Sequence, residues 1–182
     1  LLNALAVPID EHVDHTADQP ATRWRAKALR WAGGMVHILG DNAHAFTLLQ
    51  ESLTLYQRLG DQRNIANLLN VLGTVWDAQS NYDEALHYYE ASEQIYRQLG
   101  DAAGLAVTLN NRASVAHYRG DYVTARRLSE ESITYIRTTG QQGQLANLLT
   151  TLAETTQMLG DFATSRQALA EAMAIHRANG DK

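Results

Sequence analysis

The chain has 182 residues, 45% of them hydrophobic, enough to bury a continuous core in one domain or slightly more. Its net charge of −5, with no stripe of Lys or Arg along any expected helix, argues against direct binding to nucleic acid. The absence of cysteine excludes disulfides, thiolate metal sites and thiol nucleophiles and fits a reducing, cytoplasmic setting, and no apolar run reaches the roughly 18 to 20 residues of a membrane helix.

Taken in order, Leu1 to Val7 reads as the tail of a preceding repeat helix and Pro8 to Asp18 as an acidic loop, so residues 1–20 stand apart from residues 21–182. Pro20 suits the first turn of the helix that follows. From there glycine falls at 40, 60, 100, 120, 140, 160 and 180, with Ser80 in the single gap. Aspartate follows at 41, 61, 101, 121, 161 and 181, with Asn81 and Gln141 in the two remaining places. A glycine in the left-handed conformation ends a helix and an adjacent aspartate caps the next, so the grid predicts helices of about 17 residues joined by tight turns.

Small residues show how these helices pair. They recur every 40 residues, as Gly33, Gly73, Ala113 and Ala153 in first helices and Ala45, Ala85, Ala125 and Ser165 in second helices. Larger apolar residues keep the same phase, with Leu29, Leu69, Leu109 and Leu149 in first helices and Leu55, Ile95, Tyr135 and Ile175 in second helices. Four repeats of two helices result, at 21–60, 61–100, 101–140 and 141–180. The chain does not start with Met, and both ends break off inside repeat-like sequence. We therefore read it as a piece of a longer protein whose uncapped apolar ends can self-associate.

The residues Leu69, Leu72, Gly73, Trp76, Tyr82, Ala85 and Tyr89 resemble the pattern of the tetratricopeptide repeat, and the likeness extends over residues 21–180. Repeats of this family are usually shorter, so these resemble its 40-residue form. The resemblance implies an all-α fold, a right-handed superhelix of antiparallel helix pairs whose first helices line a concave groove. Projected at 3.6 residues per turn, the first-helix faces opposite the core carry Lys27, Arg30, Gly34 and His37, then Asn67, Asn70, Thr74 and Asp77. The third and fourth repeats offer Asn110, Ser114, His117 and Tyr118, then Asn147, Thr150, Glu154 and Gln157. An asparagine side chain both donates and accepts, so a ladder of amides can hold the main chain of an extended peptide. In similar repeat proteins, asparagines at the places of Asn70 and Asn110 do this. Lys27 and Arg30 at one end and Glu154 at the other would orient such a peptide, with an acidic group near the two cations.

Two residues break the apolar pattern. Arg112 stands where other repeats have Ala32, Leu72 and Leu152, and Glu93 where they have Leu53, Ile133 and Met173. We expect these opposite charges to pair between the second and third repeats. Gly33 and Gly34 lie side by side within an expected helix, Gly33 for packing and Gly34 on the groove side, where it could admit a ligand backbone. The seven histidines suggest no metal site, since Glu11, His12, Asp14 and His15 lie in a loop without a further ligand. No phosphate loop, dinucleotide fingerprint, zinc-protease motif or nucleophile elbow occurs, so we expect neither catalysis nor a cofactor.

These readings imply a module that binds a protein or peptide. The stretches from Leu53 to Asp61 and from Tyr82 to Glu90 resemble the repeat regions of large bacterial ATP-dependent transcriptional regulators. That resemblance implies a sensing or interaction region, with nucleotide and DNA handled elsewhere in the parent chain. The alternatives are a passive assembly scaffold and an accessory array of a multidomain enzyme such as a cyclase or kinase.

Overall fold

The structure, a computed structural model, describes residues 19–180. They form eight α-helices and no strand: α1 (Gln19–Ile38), α2 (Asn42–Arg58), α3 (Gln62–Asp77), α4 (Tyr82–Leu99), α5 (Ala102–Tyr118), α6 (Tyr122–Thr139), α7 (Gln142–Met158) and α8 (Phe162–Ala178). The described residues are all-α. The N-terminal helix tail, the acidic loop with His12 and His15, and the terminal Asp181 and Lys182 lie outside the described residues. Helix α1 runs from Gln19 and holds Pro20 in its first turn, where the missing N–H has no intrahelical partner anyway.

Every turn on the glycine grid is left-handed, and the one position that lacks glycine adopts the same conformation. Ser80 has φ 59°, inside the range where only glycine is unstrained, against φ 64° at Gly60 and 79° at Gly120. Its turn closes with the same bonds as those at Gly40, Gly60, Gly100, Gly120 and Gly160, from Ser80 N to Asp77 O at 2.8 Å and from Asn81 N to Trp76 O at 3.1 Å. The neighbouring helices impose the turn on a residue that resists it. Ser80→Gly should therefore raise the stability by about 1 kcal/mol, read as a higher urea midpoint at unchanged m.

The aspartates after the turns cap helices. Asp41, Asp101, Asp121 and Asp161 accept from the backbone N–H three residues on, at 3.1, 3.1, 3.0 and 3.1 Å, and Asp61 does so from Asn64 at 3.2 Å. The bonds from Thr124 and Thr164 hold the Asp121 and Asp161 carboxyls below their ordinary range. Asn81 and Gln141 make no side-chain cap bond.

The chain divides into two compact units, Leu1–Leu68 and Leu69–Lys182. In the first, α1 packs on α2 through buried Gly33 and Ala45, and a Cβ built on Gly33 would fall 2.7 Å from Leu49 Cγ. Buried Ser52 donates to the Ala26 carbonyl at 2.7 Å. In the second, Gly73, Ala113, Ala153, Ala85, Ala125 and Ser165 are all buried, and Ser132 repeats the same bond to Ala106 at 2.7 Å. Small residues thus bring paired helices close enough for a side chain of one to reach the backbone of the other.

The apolar stripe differs from the expected one in second helices. Leu55, Ile95, Tyr135 and Ile175 are only half-buried, and the deeply buried positions are the next ones along, Tyr56, Tyr96 and Ile136. Both neighbours are apolar in three of the four repeats, so periodicity could not tell which one faces inward. In first helices Leu69, Leu109 and Leu149 are buried, whereas Leu29 is half-exposed. A further packing glycine escaped the pattern: the Tyr96 ring lies against Gly104, where any Cβ would overlap it.

Candidate partner-binding face

In the unit Leu1–Leu68 the expected groove residues are engaged with their own neighbours. Lys27 places Nζ 5.3 Å from the Trp24 ring centroid, and the Arg30 guanidinium lies 5.0 Å from that of Trp31. Arg30 also donates from Nη1 to Asn67 Oδ1 at 3.3 Å. His37 turns toward the start of α2, with Nδ1 2.8 Å from Asn42 Oδ1. Gly34 faces open space.

In the unit Leu69–Lys182 the amides divide into spent and free ones. Asn70 is only 9% exposed, and its Oδ1 accepts from Asn111 Nδ2 at 3.1 Å. This corrects its expected place as an open rung: packing of α5 beside α3 closes it off. Asn110 is the opposite case. Its Oδ1 is buried and has no hydrogen-bond partner, and the side chain lines a recess of about 190 Å³ together with Gln144, Asn147 and the apolar side chains of Ala106, Ile136 and Leu148. A buried carbonyl oxygen without a donor costs about 1 to 3 kcal/mol, a cost that a bound N–H would remove.

The remaining candidates lie on the same helices. Thr74, Ser114 and Thr150 return their hydroxyls to backbone carbonyls of their own helix, at 2.7, 3.1 and 3.0 Å. Burial holds the Asp77 carboxyl above its ordinary range, an effect partly offset by the nearby Tyr89 hydroxyl, which closes no hydrogen bond of its own. His117 sets Nδ1 3.2 Å from Thr155 Oγ1 and meets the Tyr118 and Tyr122 rings edge-on. Tyr118 stays 66% exposed and stacks on Tyr82 with centroids 6.4 Å apart, while the Arg119 guanidinium lies 5.7 Å from the Tyr82 ring and pairs with Asp83. Asn147, Glu154 and Gln157 are exposed. Among the described residues, no group of three or more His, Asp or Glu is placed to hold a metal ion, and no helix is long and apolar enough to cross a membrane.

The two charged misfits are in contact. Arg112 meets Glu93 through Nη1 and Glu90 through Nη2, the latter at 3.0 Å. Glu93 also receives Arg97 at 2.8 Å, and Arg97 reaches on to Glu131 at 2.6 Å, where Arg127 joins at 3.7 Å. The pair is thus the inner end of a network over α4, α5 and α6. Its outer members escaped the reading by apolar pattern because Arg97 and Glu131 sit on faces where charge is ordinary. The signal that could have found them is repetition: Arg137 and Glu171, each 40 residues further on, pair at 2.8 Å.

No curated protein matches the chain in sequence. Solved structures do match its fold. BtubC (BKLC) from P. vanneervenii is 16% identical with a TM-score of 0.75, over 86% of this chain and 65% of that one. Aspartyl phosphate phosphatase F from Bacillus subtilis is 11% identical with a TM-score of 0.83, over 88% of this chain and 42% of that one. The chain therefore spans less than two thirds of either relative, and at these identities the likeness is one of fold. The sequence profile of the tetratricopeptide repeat matches residues 24–98 and 104–178, most of the chain, and with helix pairs of the matching kind in both stretches the chain belongs to the tetratricopeptide repeat family.

Proposed function

We propose that this chain binds an extended segment of a partner protein, with the face of α5 and α7 as the central contact. The observation that carries this reading is the buried, donorless Oδ1 of Asn110 at a recess whose rim bears the amides of Asn147 and Gln144. A main-chain N–H entering there would satisfy the oxygen, and the rim amides would pair with the adjacent peptide groups whatever the sequence. The apolar floor of Ala106, Ile136 and Leu148 would take a small aliphatic side chain. Within the unit Leu1–Leu68, Lys27, Arg30, His37 and Asn67 form a separate candidate set, with Lys27 over the Trp24 ring, Arg30 over the Trp31 ring and bonded to Asn67, and His37 on Asn42.

The sequence stretches noted above favour a larger bacterial signalling or transcriptional regulator as the parent of this module, over a passive scaffold or an enzyme appendage. Peptides selected from a random display library and titrated by calorimetry test the binding reading. Asn110→Ala and Asn147→Ala should each weaken the selected peptides about tenfold, the loss of roughly one well-placed hydrogen bond. Peptides that bind equally to both variants would overturn it.

A further inference from the structure

Two arginines on α8 repeat the positions of arginines that hold the preceding junction. In the unit Leu69–Lys182, Arg137 pairs with Glu171 at 2.8 Å and Arg126 with Asp161 at 3.1 Å, each joining α6 to the next helix pair. Forty residues on, the same positions are Arg177 and Arg166, both exposed. Neither has an ion-pair partner among the described residues. The acids recur too. Glu51 and Asp41 of the first pair stand in the repeat where Glu171 and Asp161 stand in the fourth; Asp41 is well exposed, and Glu51 is half-exposed and paired with Arg25.

The apolar positions follow the same register. Met173 is 51% exposed where its equivalent Ile133 is 7% exposed, and Leu169 is exposed where Ser129 is buried. On α1, Met35 is exposed where Val115 and Thr155 are wholly buried, and it continues a stripe with Trp24 and Trp31. The outer faces of α8 and α1 therefore carry the two halves of a repeat junction. One residue works against a dry contact: Arg25 stands where Leu105 and Leu145 are buried, though it already pairs with Glu51.

We propose that copies of this chain stack head to tail, the outer face of α8 in one receiving α1 of the next, with Arg177 meeting Glu51 and Arg166 meeting Asp41. Such a contact joins unlike faces, so it propagates instead of closing at two copies. It draws on the repeat register alone and does not depend on the groove reading.

Sedimentation velocity of the 182-residue chain over a wide concentration range, at low and high salt, tests the proposal. The expected result is an average mass that rises with concentration past that of a dimer and falls with salt. Met173→Glu should abolish the rise. Arg177→Glu and Glu51→Arg should each weaken association about tenfold, and mixing those two variants should restore it, because each then offers the complement of the other. Circular dichroism identifies any variant that fails through misfolding. A monomer at every concentration, a mass that stops at a dimer, or folded Met173→Glu and Arg177→Glu chains that associate like the original would overturn the proposal.

Discussion

Gly73→Ala should destabilise the chain by about 1 to 3 kcal/mol, even though alanine is the better helix former by about 1 kcal/mol. A Cβ at this position would fall 2.5 Å from Tyr89 Cε1 and 2.6 Å from Cδ1, inside any tolerable contact. The ring has little room to retreat. Tyr89 is wholly buried with Ala85 and Val115, and Trp76, Tyr82 and Leu86 pack around them. Gly34 provides the internal comparison, since its Cβ would meet open space. Gly34→Ala should therefore stabilise by up to about 1 kcal/mol. Urea unfolding of the two variants separates propensity from packing; equal gains in both would show that the Tyr89 ring is free to move and that Gly73 has no packing role.

Arg112→Leu should cost about 2 to 3 kcal/mol, whereas Arg112→Leu with Glu93→Leu should cost clearly less. The Glu93 side chain is 12% exposed and that of Arg112 21%, so both charges are largely removed from water. Taking away one partner of a fully buried pair costs roughly 3 to 5 kcal/mol. The lower figure applies here because Glu93 would keep Arg97, itself about two-fifths exposed. Glu93→Leu alone leaves Arg112 with Glu90, which is well exposed and screens less effectively. The equivalent positions one repeat on, Ile133 and Leu152, lie in one buried apolar cluster, so the double variant restores an apolar pair of the kind the same unit already uses. A double-mutant cycle in denaturant measures the coupling, and additive losses would show that the two side chains act independently.

The candidate site was legible in part from helical geometry. The first-helix positions that carry Asn110 and Asn147 follow from helical geometry. That Asn70 is closed off does not, because its partner Asn111 lies 41 residues away and the two meet only when α5 lies beside α3. His37 and His117 occupy equivalent positions, yet one bonds to Asn42 and the other to Thr155, since the local neighbours differ. Gln144 was missed because an exposed amide near a helix start has no mark in sequence beyond its polarity. Arg112 and Glu93 were legible for the opposite reason: a charge in an apolar register stands out, and opposite charges in neighbouring repeats suggest each other.

The sequence by itself determined the helices, their turns and the 40-residue phase. Those depend on local chemistry, on the positive φ of glycine and on aspartate oxygens within reach of the next helix; Ser80 is the exception, held in a glycine conformation by the helices on either side of it. Tertiary structure alone decided which of two adjacent apolar residues turned inward, and which amide was spent on a neighbour and which was left with an unpaired oxygen. Those outcomes depend on the rotation and separation of packed helices, where a single residue turns a side chain through 100° and a distance of one ångström makes or breaks a hydrogen bond.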